Sequence, residues 1–241
     1  MRPFGKYATS FSIRAVAHIR AVACILGQRP HAEQVAEHKR GKGREIAKCG
    51  VRQNMSDKQR WPAAIARKVA DEVAAELAPR CKRIEVAGSL RHGKSEVGDI
   101  EILYVPRLGQ VRMPGELFLR SGSLPDELIE QWLTRRVLTK RPNVNGATTW
   151  GGQNKLAVHA TSGVPVDLFA TTMPYWFVAL VVRTGPKESN TALAASALRR
   201  GMQLHAYGVL EVTATGEHII PQSEREVFDR LGVPYREPAQ R

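Results

Sequence analysis

One stretch limits what this chain can fold into more than any other: Val86-Ala-Gly88-Ser89-Leu-Arg91-His92-Gly93-Lys94-Ser-Glu-Val-Gly98-Asp99-Ile100-Glu101-Ile102. It reads as strand, glycine-rich turn, strand. On extended backbone successive side chains point to opposite faces. Asp99 and Glu101 therefore share one face, and Ile100 and Ile102 share the other. The isoleucines face a core. The turn between the strands is rich in glycine, whose backbone N–H groups can approach and cradle phosphate oxygens. Arg91, His92 and Lys94 add positive charge at the same place.

Two carboxylates on one face repel. At about 4 Å and an effective dielectric of ~20 the cost is ~4 kcal/mol. Either one is protonated or a cation sits between them. Oxygen-only ligands facing a phosphate cradle favour Mg²⁺. A third acid, Asp167, lies in Val164-Pro-Val166-Asp167-Leu168-Phe169, where it faces away from Val166 and Leu168. If that strand neighbours the one after Asp99, three carboxylates converge. Two-metal phosphoryl transfer needs such an arrangement, with ions ~3.5–4 Å apart. An Asp-x-Glu pair alone is most often a solvated strand face, and Gly-Ser alone is a turn. The two together, about ten residues apart across one loop, are specific.

Around this segment the chain alternates in type. Trp61, Ile65, Val69, Val73 and Leu77, flanked by Ala66, Ala70 and Ala74, predict a helix opened by Pro62 and ended before Pro79. Short strands are expected at 84–87 and 99–105. Ser123-Leu-Pro-Asp126 is a capping box with Asp in place of Glu, opening a helix over 124–138. Strands at 156–159 and 164–170 are joined by a turn at Ser162-Gly163. Beyond Met173 come a helix from Pro174 to about Val182, a break at Thr184-Gly185-Pro186, and a helix from Ser189 to Arg200 stopped by Gly201. A strand over 204–212 with a partner at 218–220 and a capped helix from Ser223 to Gly232 complete the chain. The expected class is α+β: a mixed sheet with flanking helices over 55–172, then a small α+β domain over 173–241.

Composition sets the context. The 241 residues carry a net charge of +13, which points to a polyanion such as nucleic acid. The excess is uneven. Residues 1–54 hold 11 basic and 3 acidic side chains and read as a basic extension, or as sequence upstream of a start at Met55. Their Ser, Ala and Arg content has the look of a transit peptide, although a cytoplasmic, nucleoid-associated location is favoured over a mitochondrial one. Three widely spaced cysteines, Cys24, Cys49 and Cys81, exclude a disulfide framework and a cysteine zinc site. The apolar stretch 175–182 is far too short to span a membrane.

The Gly-Ser and Asp-x-Glu string resembles the nucleotidyltransferase signature. The chain is more narrowly similar to DNA polymerases of the X family, the DNA polymerase beta-like enzymes. Two further strings carry that resemblance. Arg183-Thr184-Gly185-Pro186 to Asn190, with the helix through Gly201, resembles the family's Tyr-Phe-Thr-Gly-Ser segment. Glu224 to Arg241, with its Pro234-Tyr235-Arg236-Glu-Pro238, resembles the C-terminal thumb. The resemblance covers about residues 60–241 and implies a nucleotidyltransferase palm followed by a thumb.

It also implies roles. Asp99, Glu101 and Asp167 would be catalytic and would hold two Mg²⁺ ions, with Mn²⁺ as a substitute. Asp167 would accept the proton of the primer 3′-hydroxyl. Ser89, with backbone near Gly88 and Gly98, would hold the nucleotide's phosphates. Arg91 and His92 occupy the family's Arg-Arg pair. Thr184 and Gly185 would lie beside the sugar of the incoming nucleotide, and Asn190 beside its base. The implied reaction is addition of a deoxynucleotide to a DNA primer paired with a template, in short-gap repair.

The chain departs from the family pattern in places. Glu101 replaces the commoner Asp, and His92 replaces an arginine. Val182-Arg183 replaces an aromatic pair that excludes ribonucleotides, and Ala194 replaces an arginine that checks the templating base. Residues 1–54 are too short for the family's lyase and helix-hairpin-helix regions, so a minimal palm-plus-thumb monomer without lyase activity is expected. Grip on DNA would then come from Arg135, Arg136, Lys140 and Arg141, with Arg199 and Arg200. Lys155 is a candidate phosphate contact. Trp150, Trp176, His159 and His205 read as structural. Two other functions fit these residues: a template-independent nucleotidyltransferase, and a non-catalytic nucleic-acid-binding module.

Overall fold

The computed structural model describes residues 59–241. The basic segment 1–54, with Cys24 and Cys49, lies outside the described residues. The first elements are a two-residue strand β1 (Trp61–Pro62), helix α1 (Ala63–Leu77) and strand β2 (Cys81–Val86). After them come a single helical turn α2 (Gly88–Arg91), β3 (Glu96–Val97) and β4 (Ile100–Pro106). A hairpin of β5 (Leu108–Val111) and β6 (Arg120–Ser123) leads into α3 (Leu124–Thr134). Three strands follow, β7 (Leu138–Lys140), β8 (Asn154–His159) and β9 (Pro165–Ala170).

The central sheet has the order β2-β4-β9-β8-β7. It is mixed: β4 and β9 run parallel, and the other pairs are antiparallel. Alternation gives it two different faces. Ile100, Ile102 and Tyr104 of β4, Val166 and Leu168 of β9 and Ala157 of β8 pack against α1 and α3 in the main core. Trp132 of α3 is 1% exposed there. Each such fully buried side chain contributes ~1.5–3 kcal/mol. On the opposite face Ala87, Leu103, Val105 and Phe169 pack against Trp176, Ala179 and Leu180. Those last three belong to α4 (Trp176–Thr184), which follows β9 through a 3₁₀ turn.

Beyond the cis Gly185–Pro186 bond lie α5 (Lys187–Arg199), the antiparallel strands β10 (Met202–Leu204), β11 (Leu210–Val212) and β12 (His218–Ile219), and α6 (Glu224–Arg230). They close around a third apolar cluster that includes Leu193, Ala197, Leu210, Phe228 and Leu231.

The expected elements are present, with four corrections. Trp61 and Pro62 are strand, paired with Val97 and Glu96, so the helix opens at Ala63. Its buried face is Ala66, Val69, Ala70, Val73 and Leu77, while Ile65 is 49% exposed. Steps of four residues turn ~400° at 3.6 residues per turn, so a strict i+4 row drifts off one face. Helix α3 ends at Thr134 because Arg136 takes a left-handed φ of 58° and the Val137 N–H donates to Trp132 O (2.8 Å). That is a helix stop made without glycine. The expected strand 204–212 is instead two strands, β10 and β11, joined by a turn in which Gly208 has φ 95°. A Cβ at Gly208 would lie 2.6 Å from the Ala179 Cβ, so the turn sits tight on α4.

Candidate active site

Backbone register places the acids. Glu101 on β4 stands opposite Asp167 on β9, in parallel pairing. Asp167 stands opposite Leu156 on β8, and the Arg141 N–H donates to Leu156 O (2.9 Å). Glu101, Asp167, Leu156 and Arg141 thus form one row across four adjacent chain segments. The two acids lie on the face that α4 covers further along the strands, where Leu103 and Phe169 are buried. Asp99 immediately precedes β4, two residues before Glu101.

The turn before β4 presses on this row. Gly88 has φ 60°, and a Cβ there would lie 2.1 Å from the Glu101 Oε2. No other residue type leaves that space for the carboxylate. The Ala87 N–H donates to Glu101 O (2.8 Å), fixing the strand against the turn.

Fixed positive charge surrounds the pair. Arg141 Nη2 donates to Asp167 Oδ1 at 2.5 Å. The Arg183 guanidinium lies 3.6 Å from the centre of the Phe169 ring and donates to Ala206 O (3.1 Å). Burial pushes the Arg183 guanidinium down from its ordinary range, and the charges of Glu101, Tyr207 and Asp167 act in the opposite direction. Among the described residues no three Asp, Glu, His or Cys side chains are arranged as a group that could hold a metal ion. The expected convergence of three acids is therefore a pair in register plus Asp99. The carboxylate oxygens of these acids are the donor type that a hard divalent cation takes.

Several expected nucleotide contacts are engaged elsewhere. Arg91 donates to Thr184 Oγ1 (2.8 Å) and makes a two-pronged ion pair with Glu224, at the start of α6. Arg241 Nη2 donates to Oε2 of the same carboxylate (2.5 Å), an oxygen that also accepts from Arg91, with 1% of the Arg241 side chain exposed. His92 is 8% exposed, and its Nε2 lies 2.8 Å from Thr184 O. Arg91 and His92 thus tie the Gly88 turn to the Thr184-Gly185 turn. Burial pushes the Glu224 carboxyl up, but hydrogen bonds and charge from Arg91 and Arg241 outweigh it and hold the group below its ordinary range. Asn190 Nδ2 donates to Val182 O (2.7 Å). Ser89 is half-buried in α2, and Gly98 lies at the bend before Asp99.

Two comparisons bear on this arrangement. Residues 179–241 match the family model for the DNA polymerase beta thumb. The chain is also 30% identical over 170 residues to DNA polymerase lambda of Rattus norvegicus. That alignment takes in 64% of this chain and 28% of the relative. The C-terminal part of the chain is thus similar to the DNA polymerase beta thumb, and the chain spans little more than a quarter of the DNA polymerase it resembles.

The basic residues expected to grip DNA fall largely in two exposed groups. Arg135, Arg136 and Lys140 follow α3, and Lys140 Nζ lies 4.8 Å above the Trp150 ring. Arg199 and Arg200 end α5. Lys155 does not face solvent: it is 4% exposed and donates to Asp126 Oδ1 and Gly151 O (2.9 Å each). A buried ammonium needs such a carboxylate, so Lys155 binds the sheet to α3 rather than a phosphate. Trp176 is core, His159 Nδ1 lies 2.8 Å from Ser162 Oγ, and His205 pairs with Glu211, as structural readings require. Among the described residues no helix is long and apolar enough to cross a membrane.

Sequence reasoning missed three contributions. Glu224 looked like part of a helix cap, Arg141 like a surface basic residue, and Arg183 like a lost aromatic. Each acts through a partner distant in sequence, 133 positions away for Glu224 and Arg91. No local spacing signals such pairs.

Proposed function

We propose that this chain is a DNA-directed DNA polymerase that adds a deoxynucleoside monophosphate to a primer 3′-hydroxyl and fills short gaps in DNA repair. The observation that carries the reading is the in-register Glu101 and Asp167 pair beside the Gly88 turn. The resemblance to X-family polymerases supports it. Asp99, Glu101 and Asp167 would hold two Mg²⁺ ions. When bound, such ions neutralise charge on the attacking and leaving oxygens and position the nucleotide's phosphates. Asp167 accepts the proton of the 3′-hydroxyl. Ser89 and the backbone of the Gly88–Gly93 turn hold the β- and γ-phosphates, and Arg91 and His92 brace that turn through Thr184. Thr184 and Gly185 flank the sugar. The 3′-oxygen attacks the α-phosphate in line, and pyrophosphate leaves. The protein's share is positioning and charge complementarity.

Primer extension by the full chain in Mg²⁺ tests this, on a one-nucleotide-gapped DNA and on a bare single-stranded primer. Template-matched addition confined to the gap is the expected result. Equal addition to both would mean a template-independent transferase. Addition to neither would mean a nucleic-acid-binding module.

A further inference from the structure

A second cationic surface lies on the side of the sheet away from the acids. Helix α3 packs Leu128, Ile129 and Trp132 into the main core with Ile100 and Ile102. Glu101 and Asp167 alternate with the core-facing residues of their strands, so they point to the other face. The outer side of α3 meets the loop that joins β5 to β6. Between them runs a groove of about 450 Å³, lined by residues 112–116 with Gln131, Thr134 and Arg135. Its lining carries two guanidinia, Arg112 and Arg135, and one acid, Glu116, whose carboxylate accepts from Arg120 Nε (3.1 Å). At the other end of β5, Lys82 and Arg107 line a second hollow beside Leu108. The four residues of β5 set the two hollows ~13 Å apart, at ~3.3 Å per residue. Cations repeated at that distance suit a ligand with repeated negative charge rather than a single small anion.

The same loop carries an apolar ridge. Leu117, Phe118 and Leu119 are consecutive and are 83%, 82% and 56% exposed. Bulky apolar side chains seldom stand in water in such a run unless something covers them. A DNA duplex would meet the cations but keep its base faces stacked inside. An unpaired strand offers phosphates to the guanidinia and a bare base to the Phe118 ring.

We propose that the β5–β6 hairpin is a binding site for single-stranded nucleic acid, separate from the acid pair. Arg107 and Arg112 take phosphates at its two ends, and a base stacks on Phe118 between Leu117 and Leu119. No acid of the candidate active site takes part, so this site stands or falls independently of the catalytic reading.

The test uses the full chain and a short fluorescein-labelled oligothymidylate in which one base is 5-iodouracil, without Mg²⁺. Fluorescence anisotropy over a salt series reads affinity, and ultraviolet cross-linking with peptide mass spectrometry reads location. The expected cross-link falls within residues 108–120. Phe118→Ala is expected to lose it and to bind the strand about tenfold more weakly. Arg112→Gln is expected to weaken binding and to flatten the log–log salt slope by ~0.7, the loss of one phosphate contact. Both side chains are exposed, so neither variant disturbs the core. Nucleotide addition on a gapped duplex without single-stranded overhangs should be unchanged in both. Unaltered affinity and salt slope in both variants, or cross-links confined to other segments, would overturn the proposal. So would a Phe118→Ala variant that binds the strand normally but loses self-association in sedimentation, since the ridge would then join two copies of the chain.

Discussion

The two polar clusters of this protein are built by opposite means. At Glu101 and Asp167, like charges are brought together by backbone register on parallel strands, and nothing in their own chemistry favours the meeting. At Glu224, opposite charges from Arg91 and Arg241 find one carboxylate and satisfy it, joining segments far apart in sequence. The first cluster sets a like-charged pair close to the guanidinia of Arg141 and Arg183 on a rigid sheet. The second joins one carboxylate to two guanidinia and fastens the thumb to the glycine-rich turn. Removing a group from the first should therefore cost activity and spare stability. Removing one from the second should cost stability first.

The largest expected effect is Glu101→Gln, with a fall in single-turnover nucleotide addition on the order of a thousandfold and little change in melting temperature. Gly88→Ala comes next. Its Cβ would push the Glu101 carboxylate aside and force alanine to a left-handed φ. Activity should drop about a hundredfold and stability by ~1–2 kcal/mol, as primer extension and thermal melts would show. Glu224→Gln reverses the pattern. It leaves two guanidinia facing a neutral amide and should cost about 2 kcal/mol at neutral pH.

The pH dependence of Glu224 follows from its lowered pKa. Its ion pairs contribute in full above the unfolded carboxyl's ordinary value, and that contribution is lost as pH falls through the lower folded value. Urea melts of Glu224→Gln should therefore lose less stability on acidification than the parent. The smallest effect expected is Ser223→Ala, which removes the acceptor for the Glu226 N–H (3.0 Å). It should cost about 1 kcal/mol in the same melts and leave nucleotide addition unchanged.

The same contrast explains what could be read from the sequence. Strand alternation in Asp99-Ile-Glu101-Ile and in Val166-Asp167-Leu168 told which side chains share a face, because that is a property of two-residue periodicity. Adjacency of β4 and β9 was a condition stated in advance, and the parallel register meets it. Glycines at 88 and 185 were legible because positive φ values of 60° and 69° demand them. Arg136 at φ 58° was not, since arginine carries no such signal. The helix face at Ala66, Val69, Ala70, Val73 and Leu77 was legible, and Ile65 was misplaced because a strict i+4 row drifts off one face. The Arg91–Glu224–Arg241 network and the Arg141–Asp167 pair depend on tertiary proximity alone. Each residue has an ordinary local explanation, as a turn cation, a helix cap or a surface charge, and local pattern always prefers it.

The central claim is that strand register brings Glu101 and Asp167 together and that this pair carries the proposed nucleotide addition. Asp167→Asn tests it most directly, since the amide keeps the shape and removes the charge. On a one-nucleotide-gapped DNA with Mg²⁺, the parent is predicted to add the template-matched nucleotide, and Asp167→Asn, with an unchanged melting temperature, is predicted to add none. Equal rates of addition by the two proteins would contradict the account.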